Sequence, residues 1–561
     1  MLMSNLYVGV TGLQTSQNAL NTTAHNLANI GTEGYTRQQV SQGDRHYDTI
    51  SMDPAVAHKQ IGLGSAYVNC KQVRSVFLDA SYRKESGRSE FYNVSAKALE
   101  HVEDQLQEMN GAEFKENLNN LWVAVQELSK DPTSAVNQSA FINRCAEFTE
   151  SAKAVYKGFT DYQNNLDSKV KKLVDEINDT ADAIHELNLK ITAIETGGVE
   201  HANDLRDTRN KLLDRLGELG NIEYEEDKFG TVNVSFEGTQ LVLTDNVHHL
   251  ACDTDESSEG FITVYWEYAG KQYRDEDGNK KVDISGARVY DLTQTVSTVA
   301  NTDVGELRST LLARGDHHAT WHDITEDSTG EYYNQNISQS VIMNLEAEFD
   351  QMYNNIVTAV NRAIEEAASN PATLARLKNP ASKDSPSNYD IFVQMDDTDC
   401  LKYDIGSETS GFEMMPAGTV KTGFSVTNTK VNELLLQTPT LNTFITLDGE
   451  EDAAAAAALK SVFTDEIYTL NPSVTTKVDM LDYYNAMISQ VANTGNVNKT
   501  LAENQEMTVA TISAAREQIV GVSSDEELEY MIEFQNAYNA SSRFINVVSE
   551  MLEHIVTTLG R

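Results

Sequence analysis

Residues 6–27 read LYVGVTGLQTSQNALNTTAHNL, and residues 531–559, near the other end of the chain, read MIEFQNAYNASSRFINVVSEMLEHIVTTL. In the first stretch Leu6, Val10, Leu13, Gln17, Leu20, Ala24 and Leu27 alternate steps of four and three, the period of a helix with one narrow seam. Only Gln17 interrupts its apolar character. In the second, Met531, Phe534, Tyr538, Ser541, Ile545, Val548, Leu552, Ile555 and Leu559 alternate three and four. A helix with a single narrow apolar face cannot bury that face alone, because most helix stability comes from packing rather than propensity. Each end therefore needs a partner. Either the two ends pack on one another or on the same ends of neighbouring subunits, which makes the middle of the chain an excursion, or both are ordinary bundle helices of a monomer.

The interior alternates between two textures. From 140 to 196 there is no proline and no glycine except Gly158, and Val155, Phe159, Tyr162, Leu166, Val170, Leu173, Ile177, Thr180, Ile184, Leu187, Ile191 and Ile194 keep the heptad spacing. Two successive steps of four, Tyr162 to Leu166 to Val170, resemble a stutter. This predicts a long rod closed by Gly197-Gly198. Helical periods also run from Glu90 to Lys130, with a break at Asn110-Gly111, from Ser338 to Ala368 and from Val478 to Gln518. Between them, 230–236, 240–244 and 261–268 switch to period two with β-branched and aromatic residues, which predicts a β-rich module over 221–299. A second mixed stretch, 369–472, predicts strands at 390–394 and 424–427 and a short helix over 452–462.

Composition narrows the function. The 561 residues suffice for several domains. A formal net charge of -42 repels nucleic acid phosphates and anionic membrane surfaces, and no apolar run approaches the roughly 20 residues that span a bilayer, so neither nucleic acid nor membrane insertion is expected. Cys70, Cys145, Cys252 and Cys400 lie too far apart for a CxxC or zinc-ribbon pattern. The start, Met1 to Leu6, lacks the basic and apolar regions of a cleaved secretory signal.

No motif argues for an enzyme. His318 and His322 are four apart and would share a helix face as zinc ligands do, but Ala319 stands where a zincin needs glutamate, which leaves a polar helix surface as the better reading. The acidic run at 275–279 lacks the glycine and the glutamate of a calcium loop, at positions held by Lys280 and Gly286, and reads as a hairpin turn. Gly62-Leu63-Gly64 is followed by Tyr67 where a dinucleotide fingerprint needs its third glycine. No catalytic residues, metal or cofactor are expected.

The stretch 26–38, NLANIGTEGYTRQ, following the first helix, resembles the N-terminal signature of the bacterial flagellar axial family of rod, hook and hook-associated proteins. The stretch from Gly62 through Arg74, Asp79 and Arg83 resembles a further segment of that family. Residues 202–213, ANDLRDTRNKLL, the pair Gly305-Glu306-Leu307 and Leu311 to Asp316, and 523–527 followed by Phe534 to Tyr538 resemble motifs of its hook-associated members. The resemblance implies a structural component at the junction between hook and filament, exported through the flagellar type III system without a cleaved signal. It implies, as partners, the hook protein, a second hook-filament junction protein, copies of itself in a ring, and a cytosolic export chaperone at the C-terminal helix. Another hook or rod component, or an axial scaffold carrying a metal-dependent hydrolase, is the alternative.

Together these readings predict a mainly α fold with β-rich insertions, the chain folded back so that its termini meet. Residues 1–60 with 519–561 would form a terminal helical domain, 61–205 with 303–368 and 473–518 a long-helix bundle, 206–302 a β-rich insertion and 369–472 an outer mixed insertion. Leu6, Leu13, Leu20 and Leu27 with Phe534, Tyr538, Ile545, Val548, Leu552 and Ile555 are the expected subunit contact, and the resemblance adds Asn29, Gly34, Tyr35 and Arg37.

Overall fold

The computed structural model describes residues 2–559 other than 46, 52–58, 108–109, 198–199, 255–259, 275–279, 285, 326–328, 370–389, 396–422, 443, 447 and 449. The chain opens with α1 (Leu2–Ala28) and a hairpin in which β1 (Gln38–Asp44) pairs antiparallel with β4 (Ser65–Gln72), with β2 (Asp48–Ser51) and β3 (Lys59–Ile61) paired between them. Four helices follow: α2 (Val76–Gln107), α3 (Asn110–Lys130), α4 (Ala135–Glu195) and α5 (Asn203–Leu219). The strand-rich part is a three-stranded antiparallel sheet of β5 (Ile222–Glu226), β6 (Val232–Phe236) and β7 (Thr239–Val242). Two hairpins join it, β8 (Leu250–Thr254) with β9 (Ile262–Trp266) and β10 (Lys271–Arg274) with β11 (Lys280–Asp283). Then come α6 (Glu306–Arg314), α7 (Trp321–Thr325), a π-helical turn at Tyr333–Ile337 and α8 (Val341–Ser369). Strands β12 (Phe392–Gln394) and β13 (Thr429–Val431) pair, α9 (Glu433–Gln437) and α10 (Ala453–Thr464) follow, and the chain returns along α11 (Met480–Val520) and α12 (Ser524–Leu559). The fold is mainly α with small β insertions.

Helix α4 is the spine. Ser134 caps its start by accepting a hydrogen bond from the Asn137 N–H, and its 61 residues span about 90 Å at 1.5 Å per residue. Its buried residues up to Leu166 belong to one core, with Phe114 of α3, Phe349 of α8 and Tyr484 of α11. From Val170 to Ile184 they belong to a second core, with Leu216 of α5, Phe236 of β6 and Trp266 of β9, and Leu187 and Ile191 pack in a small separate cluster with Ala202. The two four-residue steps at Tyr162–Leu166–Val170 fall where the buried face passes from one core to the other, the local unwinding a stutter provides. Gly158 sits where α2 crosses: a Cβ there would lie 2.2 Å from the Gln105 amide nitrogen.

Several expectations need correction. Helix α5 runs through to Leu219 and the first strand begins at Ile222, inside the 221–299 stretch read as β-rich but past the bound of 206 drawn for the insertion, and β4, paired with β1, carries the N-terminal unit beyond residue 60. Residues 424–427 form a loop and turn leading into β13, because Asn428 Oδ1 accepts the Ser425 N–H and Asp350 the Val426 N–H in place of a strand partner. The described part of 369–472 is not outside: Phe392, Phe424, Val431, Leu459 and Phe463 belong to the first core. His318 lies in the loop before α7 and His322 on α7, so the two do not share a helix face. The turn at 275–279 lies outside the described residues, although the strands on either side of it pair as a hairpin.

Three buried carboxyls on α8 tie returning segments to the first core. Glu346 accepts the Ala319 N–H (3.1 Å), and Asp350 accepts those of Trp321 (3.1 Å) and Val426 (2.7 Å). Glu348 accepts from Asn471 Nδ2 (2.7 Å) and Gln490 Nε2 (2.9 Å). Burial outweighs these donors and pushes both Glu348 and Asp350 up to about 7. A carboxyl raised by folding contributes stability that is full below the ordinary carboxylate range and is lost as pH climbs through about 7. Glu348→Gln removes that dependence while keeping an acceptor for both amides. Relative to the parent, its unfolding free energy should improve by about 2 kcal/mol between pH 5 and pH 8, read by denaturant unfolding. An equal effect of the substitution at both pH values would contradict the assignment.

Candidate assembly interface

Helices α1 and α12 lie antiparallel: Gly9 faces Phe544 and Ile545, Gly12 faces Ser541, and Asn26 reaches Glu527. A Cβ at Gly9 would stand 2.7 Å from Ile545 Cγ1, so the two glycines set how closely the helices approach. Of the expected contact residues, Leu6, Leu13, Leu20 and Leu27 are half-buried, as are Phe534, Tyr538, Ile545 and Leu552. Val548 is buried and Ile555 is exposed. The most buried positions of α1 are instead Thr11, Thr15, Ala19, Thr23 and Asn26. The β1–β4 hairpin covers part of this small-residue face: Thr11 Oγ1 lies 2.1 Å from where a Cβ on Gly64 would be, and Ser65 Oγ donates to Thr15 Oγ1. Gly64 also has φ +89°, a conformation that favours glycine.

Where the helices end, the chain is knotted by Asn26, which is 1% exposed. Its Nδ2 donates to the Gln38 carbonyl (2.8 Å) and to Glu527 Oε2 (3.1 Å). Its Oδ1 accepts from the Gln38 N–H (3.0 Å) and the Tyr35 hydroxyl (2.7 Å). The amide thus spends both donors and both lone pairs. Gly34, at φ +80°, turns the chain so that Tyr35 folds back onto this amide. Arg37 completes the latch: Nε donates to Glu527 Oε1 (2.9 Å), Nη1 pairs with Glu526 Oε2 (3.1 Å), the guanidinium lies over Tyr530, and its N–H donates to the Val520 carbonyl. Glu526 and Glu527 occupy the first turn of α12, where the helix dipole favours negative charge. Asn29 stays outside the latch, bonding the His25 carbonyl and the Thr32 hydroxyl in the turn after α1.

A second polar network fastens this terminal unit to the long helices. Arg516 of α11 pairs with Asp79 of α2 and Asp214 of α5, each at 2.8 Å. Arg74 also holds Asp79 (3.0 Å), and Arg83 holds Asp214 (2.7 Å) while lying over Tyr224. Asp207 accepts from the Thr36 N–H and from Gln72 Nε2, joining α5 to both strands' ends. Burial raises the Asp207 carboxyl, and its donors and Arg74 hold it back. Asn26, Asp79, Asp207, Asp214, Arg516 and Glu527 were absent from the expected contact set. Asn26, Asp79, Asp207 and Glu527 stand inside the quoted motifs; Asp214 and Arg516 carry no local signal.

The histidines form no comparable centre. His318 meets Gln163 and lies 3.7 Å from Glu346, while His322 stacks on Trp321. Among the described residues no three His, Cys, Asp or Glu side chains are grouped to hold a metal, and no helix is long and apolar enough to cross a membrane.

This arrangement, with chain ends paired as helices and excursion domains between them, is that of a flagellar axial structural protein, and the comparisons specify it further. The family model for the flagellar hook-associated protein FlgK helical domain matches residues 99–368. Those for the flagella basal body rod protein and the flagellar basal body rod FlgEFG protein C-terminal match 6–36 and 517–558. The chain is 26% identical to flagellar hook-associated protein 1 of Bacillus subtilis, covering 100% of this chain and 99% of that one. It is 21% identical to the protein of the same name from Escherichia coli, covering 98% of each. A solved structure of the flagellar hook junction protein FlgK from Burkholderia pseudomallei shares the fold with TM-score 0.50 at 10% identity, over 80% of this chain and 100% of that one. The chain is thus similar along its whole length to the flagellar hook-associated protein 1 relatives.

Substitution of Arg37 by Ala, and of Glu527 by Ala, should each speed amide exchange at the end of α1 roughly thirtyfold, about 2 kcal/mol of lost local stability. The double variant should be little worse than either alone. Additive effects would show that the two side chains do not act as one latch.

Proposed function

We infer that this chain is the subunit that forms the junction between the flagellar hook and the filament, reaching the tip of the growing structure through the flagellar type III channel. The likeness over the full length of relatives that bear the hook-associated name supports this reading. The carrying observation is the surface left over when α1 and α12 pair. Tyr7 and Val10 on one helix, and Ile532, Phe544, Val547, Met551 and Val556 on the other, remain exposed. So much exposed apolar surface on one helix pair marks an association face. Copies of this chain packed side by side in a ring would cover it, with the hook protein on one side of the ring and a second junction protein on the other. Before assembly the same stripe of α12 is the place for an export chaperone. The role is structural, with Leu6, Leu13, Leu20 and Leu27 and the α12 seam holding the helix pair that the ring is built from, and it requires no catalysis.

Deleting the gene tests this. Electron microscopy should show bare hooks, and immunoblots should find flagellin shed into the medium, with filaments restored by the full chain. Normal filaments in the deletion strain would contradict the reading, and missing hooks would place the protein in the hook or rod instead.

A further inference from the structure

A groove of about 580 Å³ lies between α2, α11, the start of α8 and the π-helical turn at Tyr333–Ile337. That volume is within the range of small-ligand sites, and helices from distant parts of the chain wall it. Its chemistry differs from the rest of the molecule. Asp, Glu, Lys and Arg make up 23% of the sequence, yet among the described residues that line the groove none is charged. In their place are six amides: Asn334, Gln339, Asn344, Asn471, Gln490 and Asn498. Serine and threonine hydroxyls stand between them, and the half-buried Tyr92 supplies aromatic surface, with Phe91 and Tyr333 buried in the wall.

Part of this lining is held in place from behind. Glu348, buried beneath the groove, accepts from Asn471 Nδ2 and Gln490 Nε2, which fixes the orientation of both amides and turns the Gln490 carbonyl oxygen away from the carboxyl. Asn471 is further fixed by the Ser473 N–H on its own Oδ1, and Ser473 Oγ donates to Asn334 Oδ1 (2.8 Å). Tyr333 and Asn344 are hydrogen-bonded to each other. Gln339 donates through Nε2 to the Thr293 carbonyl, while its Oε1 is shut off from solvent and meets no donor among the described residues.

We propose that this groove binds a short neutral oligosaccharide. Gln490 and Asn498, which keep an oxygen and a second N–H beyond their bonds to Glu348 and the Thr494 carbonyl, offer a donor and an acceptor side by side, which matches vicinal sugar hydroxyls. The half-buried Tyr92 ring offers a face for the C–H surface of a pyranose, and the absence of charge disfavours anionic or cationic ligands. Orienting the amides beforehand lowers the entropy lost on binding. The site lies apart from the α1–α12 pair and is independent of the junction role.

The test uses the full-length protein with maltotriose, cellotriose and chitotriose as probes, by saturation-transfer NMR and titration calorimetry. At least one should bind. Thr494→Trp, an exposed position on the rim that would fill the groove, should weaken that binding at least tenfold with no change in thermal midpoint. Asn498→Ala should weaken it severalfold. Galacturonate trisaccharide, as a charged control, should not bind. Failure of all three neutral probes, or binding untouched by Thr494→Trp, would overturn the proposal. So would an uncharged Asn/Ser-rich peptide binding the groove where the sugars do not.

Discussion

The fold depends on one long-range contact: the Asn26 amide and the Arg37 guanidinium meeting Glu527 across 501 and 490 residues of chain. Closing a loop of that size is entropically unfavourable but grows only with the logarithm of its length, so a few buried, charge-assisted hydrogen bonds and a helix seam suffice to hold it. Once the ends are joined there, the middle of the chain is free to carry insertions without disturbing them. The latch is polar where the seam is apolar. The seam favours association of two helices, and the latch fixes which residues stand opposite one another, because Asn26 is satisfied only when Tyr35, Gln38 and Glu527 are all present.

From the latch, order passes to the body of the molecule through Arg516, Asp79 and Asp214, which link α11, α2 and α5. The long helix α4 then carries it outward by serving two cores in turn. A single rigid element shared by two cores makes them one mechanical unit.

The long helices were legible in the sequence because their seams are uninterrupted: α4, α8 and α11 follow the periods of Val155 to Ile194, Val341 to Val360 and the run after Val478. The β1–β4 hairpin was not. Its strands, with Gln38, Gln39, Ser41 and Gln42 in one and Asn69 and Lys71 in the other, show no apolar alternation, since part of what they pack on is the small polar face of α1. The same cause hid the importance of Thr11, Thr15 and Asn26, which are buried although polar. In the candidate interface, the apolar stripe of α12 could be read from spacing alone, whereas Arg37 and Tyr35 were reached through resemblance. Glu527 and Arg516 take their meaning from partners hundreds of residues away, which no local pattern encodes. The pair His318 and His322 shows the reverse error: a four-residue spacing implies a shared face only inside a helix, and α7 begins at Trp321.

The central claim, that the two chain ends form one antiparallel pair within a single molecule, can be tested by cross-linking. A Cβ at Gly12 would lie 3.8 Å from Ser541 Cβ, the separation a disulfide needs. The full chain carrying Gly12→Cys and Ser541→Cys, diluted as a monomer and oxidised, should yield an intramolecular bond between these positions, located by peptide mass mapping. Cross-links found only between molecules, or none between these two positions, would contradict the account.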